Sequence, residues 1–199
     1  MMSKLLHSIR PFARSASSFA LYGLVGFLAT GALHDHVYEL HPVKGSSMSP
    51  ALSPSYHETG AKDRLGVWKW LPCQSLRRGD VVVFWQPHNP EEQSVKRVVA
   101  LPGDTVYPMQ KRGDEKARVY PFKKVMVPYG HIWVEGDNWR KTVDSNDFGP
   151  ISMSLVVGRA AQIVWPYHRV GSIPERREKQ RTRVVEARED ADMPIALKD

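Results

Sequence analysis

A run of twenty residues without Lys, Arg, Asp or Glu, from Ser15 to His34, constrains this chain more than any other feature of its sequence. As a helix, a segment of that length spans about 30 Å, which is the thickness of the hydrocarbon core of a bilayer. We therefore expect one transmembrane helix at residues 16–36, after a basic segment at residues 1–15. A cleaved signal peptide is the alternative, since it too places an apolar stretch after basic residues.

The charges that flank this apolar segment predict its orientation. Lys4, Arg10 and Arg14 precede it, whereas Asp35 and Glu39 follow it. Because basic residues stay on the inner side of a membrane, the N-terminus should face the matrix or cytoplasm, and the rest of the chain should lie across the membrane. An Arg- and Ser-bearing start without acidic residues is also typical of mitochondrial targeting segments.

The sequence after this segment consists of short apolar runs separated by turn residues. Runs rich in Val, Ile and aromatic residues and bounded by Gly, Pro, Asn or Asp are typical of β-strands. Because no strand–helix–strand spacing is visible, we predict a mainly β, antiparallel domain at residues 37–172. The predicted strands are Asp80–Trp85, Ser94–Leu101, Val125–Gly136 and Val156–Pro166.

Two further segments predict less regular structure. Residues 54–75 should form a long surface loop, although the alternation of Trp68 and Trp70 also fits one face of a strand. These two side chains either pack on the domain or dip into the lipid headgroups. The segment 173–199 is densely charged and has few large apolar residues. We therefore expect it to be a disordered tail that is dispensable for folding and activity.

The charge distribution and the metal-binding residue types argue against several classes of function. The net charge is +7, but no dense basic run interleaved with aromatic residues indicates nucleic-acid binding. Cys73 is the only cysteine, which rules out an intrachain disulfide and a cysteine-based metal site. The eight histidines are scattered, without metal-ligand spacing beside a carboxylate. We expect no metal, no cofactor and no nucleic acid.

The stretch "GSSMSP" at residues 45–50 follows the apolar segment and places serines in a turn. A serine nucleophile needs a base within hydrogen-bond reach, and a lysine serves only when burial or nearby cations keep its amine neutral. In the strand Ser94–Leu101, Lys96 shares a face with small or apolar neighbours. This pattern fits a desolvated amine, and it fits equally a lysine that snorkels from an edge strand into water.

Four sequence blocks, in this order after an apolar span, resemble those of the type I signal peptidases. These are membrane-anchored serine proteases with a Ser–Lys dyad. The blocks are "SSMSPAL" at 46–52, "RRGDVVVF" at 77–84, "KRVVALPGD" at 96–104 and "GDNWRKTVDSNDFGPIS" at 136–152. The resemblance runs from about Val43 to Pro166 and implies a signal-peptidase-like β domain.

The resemblance implies a nucleophile and a general base. The serine directly before the methionine of the first block is the nucleophile, here Ser47, and the lysine that opens the third block is the base, here Lys96. Met48 then shapes the turn that presents the nucleophile.

The fourth block implies residues that support the lysine. Thr142 stands where the family supplies a hydroxyl to the lysine, and Asp144 and Ser145 match the Asp-Ser pair that supports it.

Two positions depart from the bacterial pattern. Gly45 stands where a serine often aids the oxyanion hole, so the donors would be mainly backbone N–H groups, with Ser46 helping. Asn146 stands where an arginine is frequent. Both departures, together with "DSNDFGPIS" at 144–152, resemble the mitochondrial inner membrane peptidase branch, and most of all its subunit 2 type.

The implied function is that of a membrane-anchored serine endopeptidase that removes sorting segments from proteins delivered to the mitochondrial intermembrane space. The implied partners are precursor proteins with cleavable sorting signals, the membrane, and a second peptidase subunit in a hetero-oligomer. The implied location is the mitochondrial inner membrane, with a single span and the catalytic domain facing the intermembrane space.

Three alternatives belong to other classes. A non-catalytic inner-membrane assembly subunit would lack Ser47 or Lys96, and both are present. A LexA-like self-cleaving regulator would carry a DNA-binding domain where this chain has its apolar segment. A Ser-His-Asp hydrolase would need a histidine such as His131 beside the serine, and the chain lacks a G-x-S-x-G motif.

Overall fold

The computed structural model describes residues 21–26, 31, 37–70, 72–109, 120–176 and 182–187. Of the predicted span at 16–36, residues 21–26 and 31 fall within these ranges, and they are helical. Within the described ranges, no helix combines the length and hydropathy that crossing a membrane requires. Most of the predicted span lies outside the described residues, so the transmembrane helix stays a prediction.

The body of the chain is a mainly β fold with antiparallel pairing, which confirms that part of the prediction. The strands in the described ranges are β1 (Tyr38–Pro42), β2 (Arg64–Trp68), β3 (Val81–Gln86), β4 (Asn89–Ala100), β5 (Thr105–Tyr107), β6 (Val125–Met126), β7 (His131–Glu135), β8 (Ile151–Ser152), β9 (Val156–Trp165), β10 (Gly171–Ser172) and β11 (Arg183–Val185). Short helices occupy Tyr56–Thr59 (α1) and Ser145–Phe148 (α2), and 3₁₀ turns occupy Met153–Leu155 and Tyr167–Arg169.

Two sheets organise these strands. The larger runs in the order β1-β2-β9-β3-β4-β7-β8, with β10 beside β9, and the smaller runs in the order β11-β5-β6. Strand β4 therefore lies inside the larger sheet, between β3 and β7. Its residues up to Arg97 pair with β3, and its residues from Arg97 onward pair with β7.

The core forms on both faces of the larger sheet. Val81 and Val83 of β3 belong to one buried cluster, and their alternates Val82 and Phe84 belong to another. Because side chains alternate across a strand, a continuous apolar run such as "VVVF" fits a strand that is covered on both sides. A third buried cluster surrounds Trp133, next to the smaller sheet.

The predicted strands agree with the structure except at one break. Three of them correspond to β3, to the second half of β4 and to β9. The fourth, Val125–Gly136, is divided into β6 and β7, because Gly130 takes a φ of +71 in a turn and the His131 N–H donates to the Pro128 carbonyl. A proline and a left-handed glycine so close together favour a turn over a continuous strand.

The prediction of a loop across residues 54–75 is wrong in its second half. Strand β2 pairs with β1 on one side and β9 on the other, and Leu65 and Val67 are buried in the core. Gly66 lies under the ring of Tyr38, where a Cβ would overlap the phenol. Trp68 is 45% exposed and touches Tyr38 edge-on, and Trp70 is 62% exposed.

The prediction of a disordered tail at 173–199 is wrong for residues 173–176 and 182–187, which are named the C-terminal segment below. Strand β11 pairs with β5, and Thr182 is buried. Ile173 and Val184 pack against two of the buried clusters, and hydrogen bonds and ion pairs add to this attachment. The Ala187 N–H, for example, donates to the buried carboxylate of Asp104 at 2.9 Å.

Candidate active site

The turn that carries Ser47 follows β1 and packs against the core. Gly45 takes a φ of +82, which lets the chain reverse where an L side chain would be strained. Met48 and Leu52 are buried in the cluster that also contains residues of β2 and β3. Met48 therefore anchors the turn, while Ser47 stays partly exposed beside a groove.

Lys96 reaches Ser47 from the inner strand β4. Its Nζ donates to Ser47 Oγ over 2.7 Å, and the residue is 4% exposed. The interpretation of Lys96 as a lysine that snorkels from an edge strand is therefore wrong, since β4 is an inner strand and the side chain is buried. Burial removes water from an ammonium group and so favours the neutral amine, the form that accepts a proton.

The turn after β7, residues 135–138 and named the Gly136 turn below, holds the Ser47 backbone. The Asn138 N–H donates to the Ser47 carbonyl at 2.9 Å, and Asn138 Nδ2 donates to the Ser46 carbonyl at 3.1 Å. A Cβ on Gly136 would lie 2.5 Å from the Ser47 carbonyl oxygen and 2.3 Å from Thr142 Oγ1. The absence of a side chain at Gly136 thus lets Thr142 and the Ser47 backbone approach the same point.

Asp144 and Ser145 fasten helix α2 to the strand and turn before it. Asp144 caps α2 by accepting from the Asn146 N–H, and its other oxygen accepts from the Gly136 N–H at 3.1 Å. Ser145 Oγ accepts from the Val134 N–H at 3.0 Å. These bonds hold the backbone of Val134 and Gly136, close to the residue that binds the Ser47 carbonyl. Asp144 and Ser145 therefore support the dyad indirectly, through the backbone.

Ser46 faces a histidine that the sequence did not single out. Its Oγ lies 2.6 Å from His57 Nε2, and Lys141 Nζ lies 3.4 Å from the same nitrogen. An ammonium can only donate, so the two contacts are compatible when Nε2 is the unprotonated nitrogen of the ring. No sequence signal pointed to His57, because it lies in the segment predicted as a loop.

Two buried acids in the Gly136 turn are paired with two arginines. Arg97, next to Lys96, grips Asp137 with two hydrogen bonds of 2.9 and 2.7 Å. Arg176 of the C-terminal segment pairs with Glu135 at 3.1 Å. Arg97 and Asp137 lie within the sequence blocks described above, which could have suggested the first pair. Arg176 lies outside the blocks and was missed.

A groove of about 550 Å³ opens at Ser47 and Lys96. Its walls come from β1 and from the β3–β4 hairpin, and they include Glu39, His41, Trp85, Gln86, Glu91 and Gln93. Burial lowers the pKa of His41 below its usual value, with Lys44 adding to the effect and Glu39 opposing it. His41 is therefore a neutral part of this wall at pH 7.

The described ranges hold no group of three or more His, Cys, Asp and Glu side chains arranged to bind a metal ion. The arrangement at Ser47 consists instead of a hydroxyl, a buried amine, neighbouring backbone amides and an open groove. Such a set can perform nucleophilic acyl transfer, because it contains a nucleophile with a base in contact.

Comparison with known proteins is consistent with this chemistry. The family model described as "Signal peptidase, peptidase S26" matches residues 16–113 and 107–165. Mitochondrial inner membrane protease subunit 2 of Saccharomyces cerevisiae is 44% identical over 70% of this chain and 75% of its own length. The subunit 2 of Schizosaccharomyces pombe is 36% identical over 82% of this chain and 88% of its own length.

Subunit 1 of the same protease matches as well. The Schizosaccharomyces pombe protein is 32% identical over 68% of this chain and 78% of its own length. With a family model over most of the chain and relatives that align over most of their own length, the chain belongs to the signal peptidase family, peptidase S26.

Proposed function

We propose that this chain is a serine endopeptidase of the mitochondrial inner membrane in which Ser47 is the nucleophile and Lys96 is the general base. The observation that carries the proposal is the 2.7 Å hydrogen bond between Lys96 Nζ and Ser47 Oγ, made by a lysine that is 4% exposed. A charged lysine in that place would lose most of its hydration, which favours the neutral amine that a base requires.

The reaction proceeds through an acyl-enzyme. Neutral Lys96 accepts the proton of the Ser47 hydroxyl as the oxygen attacks the scissile carbonyl carbon. We assign the backbone N–H of Ser47 to the oxyanion as a donor. The amine of the leaving peptide departs with the proton from Lys96. A water molecule then loses a proton to the same amine as it attacks the ester carbon. The Ser47 oxygen leaves and takes that proton back from Lys96, which regenerates the hydroxyl and the neutral amine.

Five residues around the dyad receive positioning roles. Met48 anchors the Ser47 turn in the core. Asp144 and Ser145 hold the backbone before and within the Gly136 turn. Thr142, which lies beside that turn, keeps the hydroxyl that the family pattern offers to the lysine. The Ser46 hydroxyl contacts His57, so it fixes the turn and supports the oxyanion donors through the backbone.

The substrate should lie extended in the groove beside Ser47. Peptides often bind proteases in extended form, since a strand-like backbone can hydrogen-bond to the enzyme while alternate side chains enter pockets. We propose that small side chains are preferred at the first and third positions before the cut. The substrates would be precursor proteins with cleavable sorting signals.

The relatives' names support a location and a partner. Those relatives are named as subunits 1 and 2 of the mitochondrial inner membrane protease. We propose that this chain pairs with a subunit 1-type protein in the inner membrane. A single span at residues 16–36 would place the catalytic domain in the intermembrane space, as the flanking charges predict.

The test replaces each member of the dyad in the full chain, produced with its subunit 1-type partner in membranes. Ser47→Ala and Lys96→Arg should each reduce cleavage of a sorting-signal precursor to background, because an arginine remains protonated and cannot act as a base. Ser172→Ala and Lys123→Arg, at exposed sites away from the groove, are the matched controls. Thermal unfolding should be similar in all four variants.

Full activity in Lys96→Arg would exclude a lysine base. If instead Ser47→Ala leaves cleavage by the assembly intact, the partner performs the chemistry and this chain serves as a non-catalytic subunit.

A further inference from the structure

We propose that Arg176 in the C-terminal segment is a positioning residue, whose guanidinium fixes the Gly136 turn and thereby the backbone of Ser47. This inference rests on the proposed function, since it concerns the geometry of the same nucleophile. It also lies beyond the matched family residues, which end at residue 165.

The Arg176 side chain contacts three consecutive residues of the Gly136 turn. Its Nη2 donates to the Gly136 carbonyl at 2.9 Å, and its Nη1 donates to Glu135 Oε2 at 3.1 Å. Its Nε lies 3.8 Å from Asp137 Oδ1. The planar fork of an arginine can satisfy several acceptors at fixed angles, which a lysine cannot do. The contacts therefore fix both the position and the orientation of this turn.

Of the two acids that Arg176 meets, Glu135 is the one that depends on it for charge compensation. Glu135 and Asp137 are 3% and 2% exposed, and Arg97 already binds Asp137 with two hydrogen bonds. Among the residues that the structure describes, the other side-chain donors to Glu135 are the neutral groups of Trp133 and Asn146. Without Arg176, these described contacts would leave the buried Glu135 carboxylate with neutral donors. A buried carboxylate in that situation is costly, so the turn would rearrange.

The Gly136 turn passes any movement on to the nucleophile. The Asn138 N–H donates to the Ser47 carbonyl, and the space at Gly136 is filled by that same oxygen. A displacement of the turn therefore displaces the backbone on which the Ser47 hydroxyl stands. An error of about 1 Å in a reacting group lowers the rate on the order of a hundredfold.

The C-terminal segment is itself attached on both sides of Arg176. Before it, the Pro174 carbonyl accepts from Arg97 Nη2 at 3.0 Å, and Arg97 is the neighbour of Lys96. After it, Thr182 donates to Asn146 at 3.3 Å, and β11 pairs with β5. Arg176 is thus held in place by bonds that do not involve its own side chain.

The experiment measures kcat and KM of the full chain in proteoliposomes with its subunit 1-type partner, using a fluorogenic peptide. Arg176→Gln should lower kcat by about tenfold to a hundredfold, as expected for the loss of charge-assisted hydrogen bonds, and leave KM within about twofold. Arg176→Lys keeps the charge but loses the planar guanidinium group, so its kcat should lie between that of Arg176→Gln and that of the unsubstituted protein. Arg183→Gln, an exposed change in the same segment, should match the unsubstituted protein.

A second readout does not depend on activity. Amide hydrogen exchange at Gly136 and Asn138 should become faster in Arg176→Gln and stay unchanged in Arg183→Gln. If Arg176→Gln fails to fold, Arg176→Lys carries both measurements, with smaller effects of the same sign.

Two outcomes would overturn the inference. One is an unchanged kcat in Arg176→Gln while the unsubstituted chain is active and Ser47→Ala is not. The other is unchanged amide exchange in the Gly136 turn. If Ser47→Ala is as active as the unsubstituted chain, the proposed function fails instead. In that case exchange alone decides whether Arg176 fixes the turn.

Discussion

Replacing Gly136 with alanine tests whether the turn beside Ser47 controls the rate of the reaction as well as the stability of the fold. The added Cβ would lie 2.5 Å from the Ser47 carbonyl oxygen, 2.3 Å from Thr142 Oγ1 and 2.7 Å from Thr142 Cβ. Rotation of the Thr142 side chain can move Oγ1 away, but Thr142 Cβ and the Ser47 carbonyl oxygen move only with their backbone. An ordinary contact between carbon and oxygen is about 3.3 Å, so the Ser47 carbonyl must retreat by roughly 0.8 Å.

This retreat acts on the backbone of the nucleophile. A displacement near 1 Å lowers the rate on the order of a hundredfold, and overpacking destabilises a fold by about 1–3 kcal/mol. We expect Gly136→Ala to lose activity by about that factor while most of the protein remains folded at 25 °C. Precursor cleavage gives kcat, and thermal unfolding gives the stability of the same preparation.

Gly158→Ala in β9 is the matched control. Its Cβ would lie 2.3 Å from Val67 Cγ1 and 3.0 Å from the Trp68 carbonyl oxygen, so it imposes a similar clash. Strand β3 separates β9 from β4, so this clash lies away from the dyad. It should lower the unfolding temperature and leave kcat within about threefold. Equal losses of kcat in both variants would show that activity follows stability alone, and the reasoning about the turn would then be refuted.

Two further changes test other parts of the structure. Burial raises the pKa of Asp104, but hydrogen bonds from Arg78, Leu101 and Ala187 and the Arg78 charge hold that pKa below its usual value. The ionised Asp104 therefore stabilises the folded protein fully above about pH 4, the usual pKa of an aspartate. This stabilisation disappears as the pH falls through the lower pKa of the folded state. Asp104→Asn should therefore destabilise the protein by about 2–4 kcal/mol at pH 7. The free energy of unfolding, measured with denaturant, should also fall less steeply below about pH 4 in this variant. An unchanged fall at acid pH would contradict this. His57→Ala should remove the hydrogen bond to the Ser46 hydroxyl and lower kcat about twofold to tenfold, whereas kcat equal to that of the unsubstituted protein would show that the contact is incidental.

The inner strands could be predicted from the sequence because their signal is local. The valine run of β3 shows apolar character over consecutive residues, as a strand covered on both faces does. Strand β9 begins with two valines and ends in Ile-Val-Trp, and its buried residues mostly alternate with more exposed ones. Strand β2 has no such run. Its apolar residues Leu65 and Val67 are separated by Gly66, follow the charged pair Asp63-Arg64 and precede Trp68 and Lys69. The order of this strand comes from pairing with β1 and β9.

The candidate site also contains residues that the sequence could predict and residues that it could not. The sequence blocks led to Ser47 and Lys96, but the alternation along β4 could not decide whether the lysine was buried. From Val95 to Ala100 both faces of that strand are covered, so alternation carries little information there. Arg176 and His57 were missed because their contacts join residues 40 and 11 positions apart, without any local pattern.

The placement of Lys96 and Arg97 as sequence neighbours has a consequence for how this enzyme can vary. Successive side chains of a strand point to opposite faces, so the amine meets the hydroxyl while the guanidinium meets the acid of the Gly136 turn. A one-residue deletion between the β3–β4 hairpin and Lys96 would shift the strand so that Arg97 takes the position of Lys96. Ser47 would then face a group that never gives up its proton, and Asp137 would face Val98 in place of its arginine. Changes in the length of that hairpin should therefore be tolerated in evolution, or in design, only where the loop absorbs them and Lys96 and Arg97 keep their register.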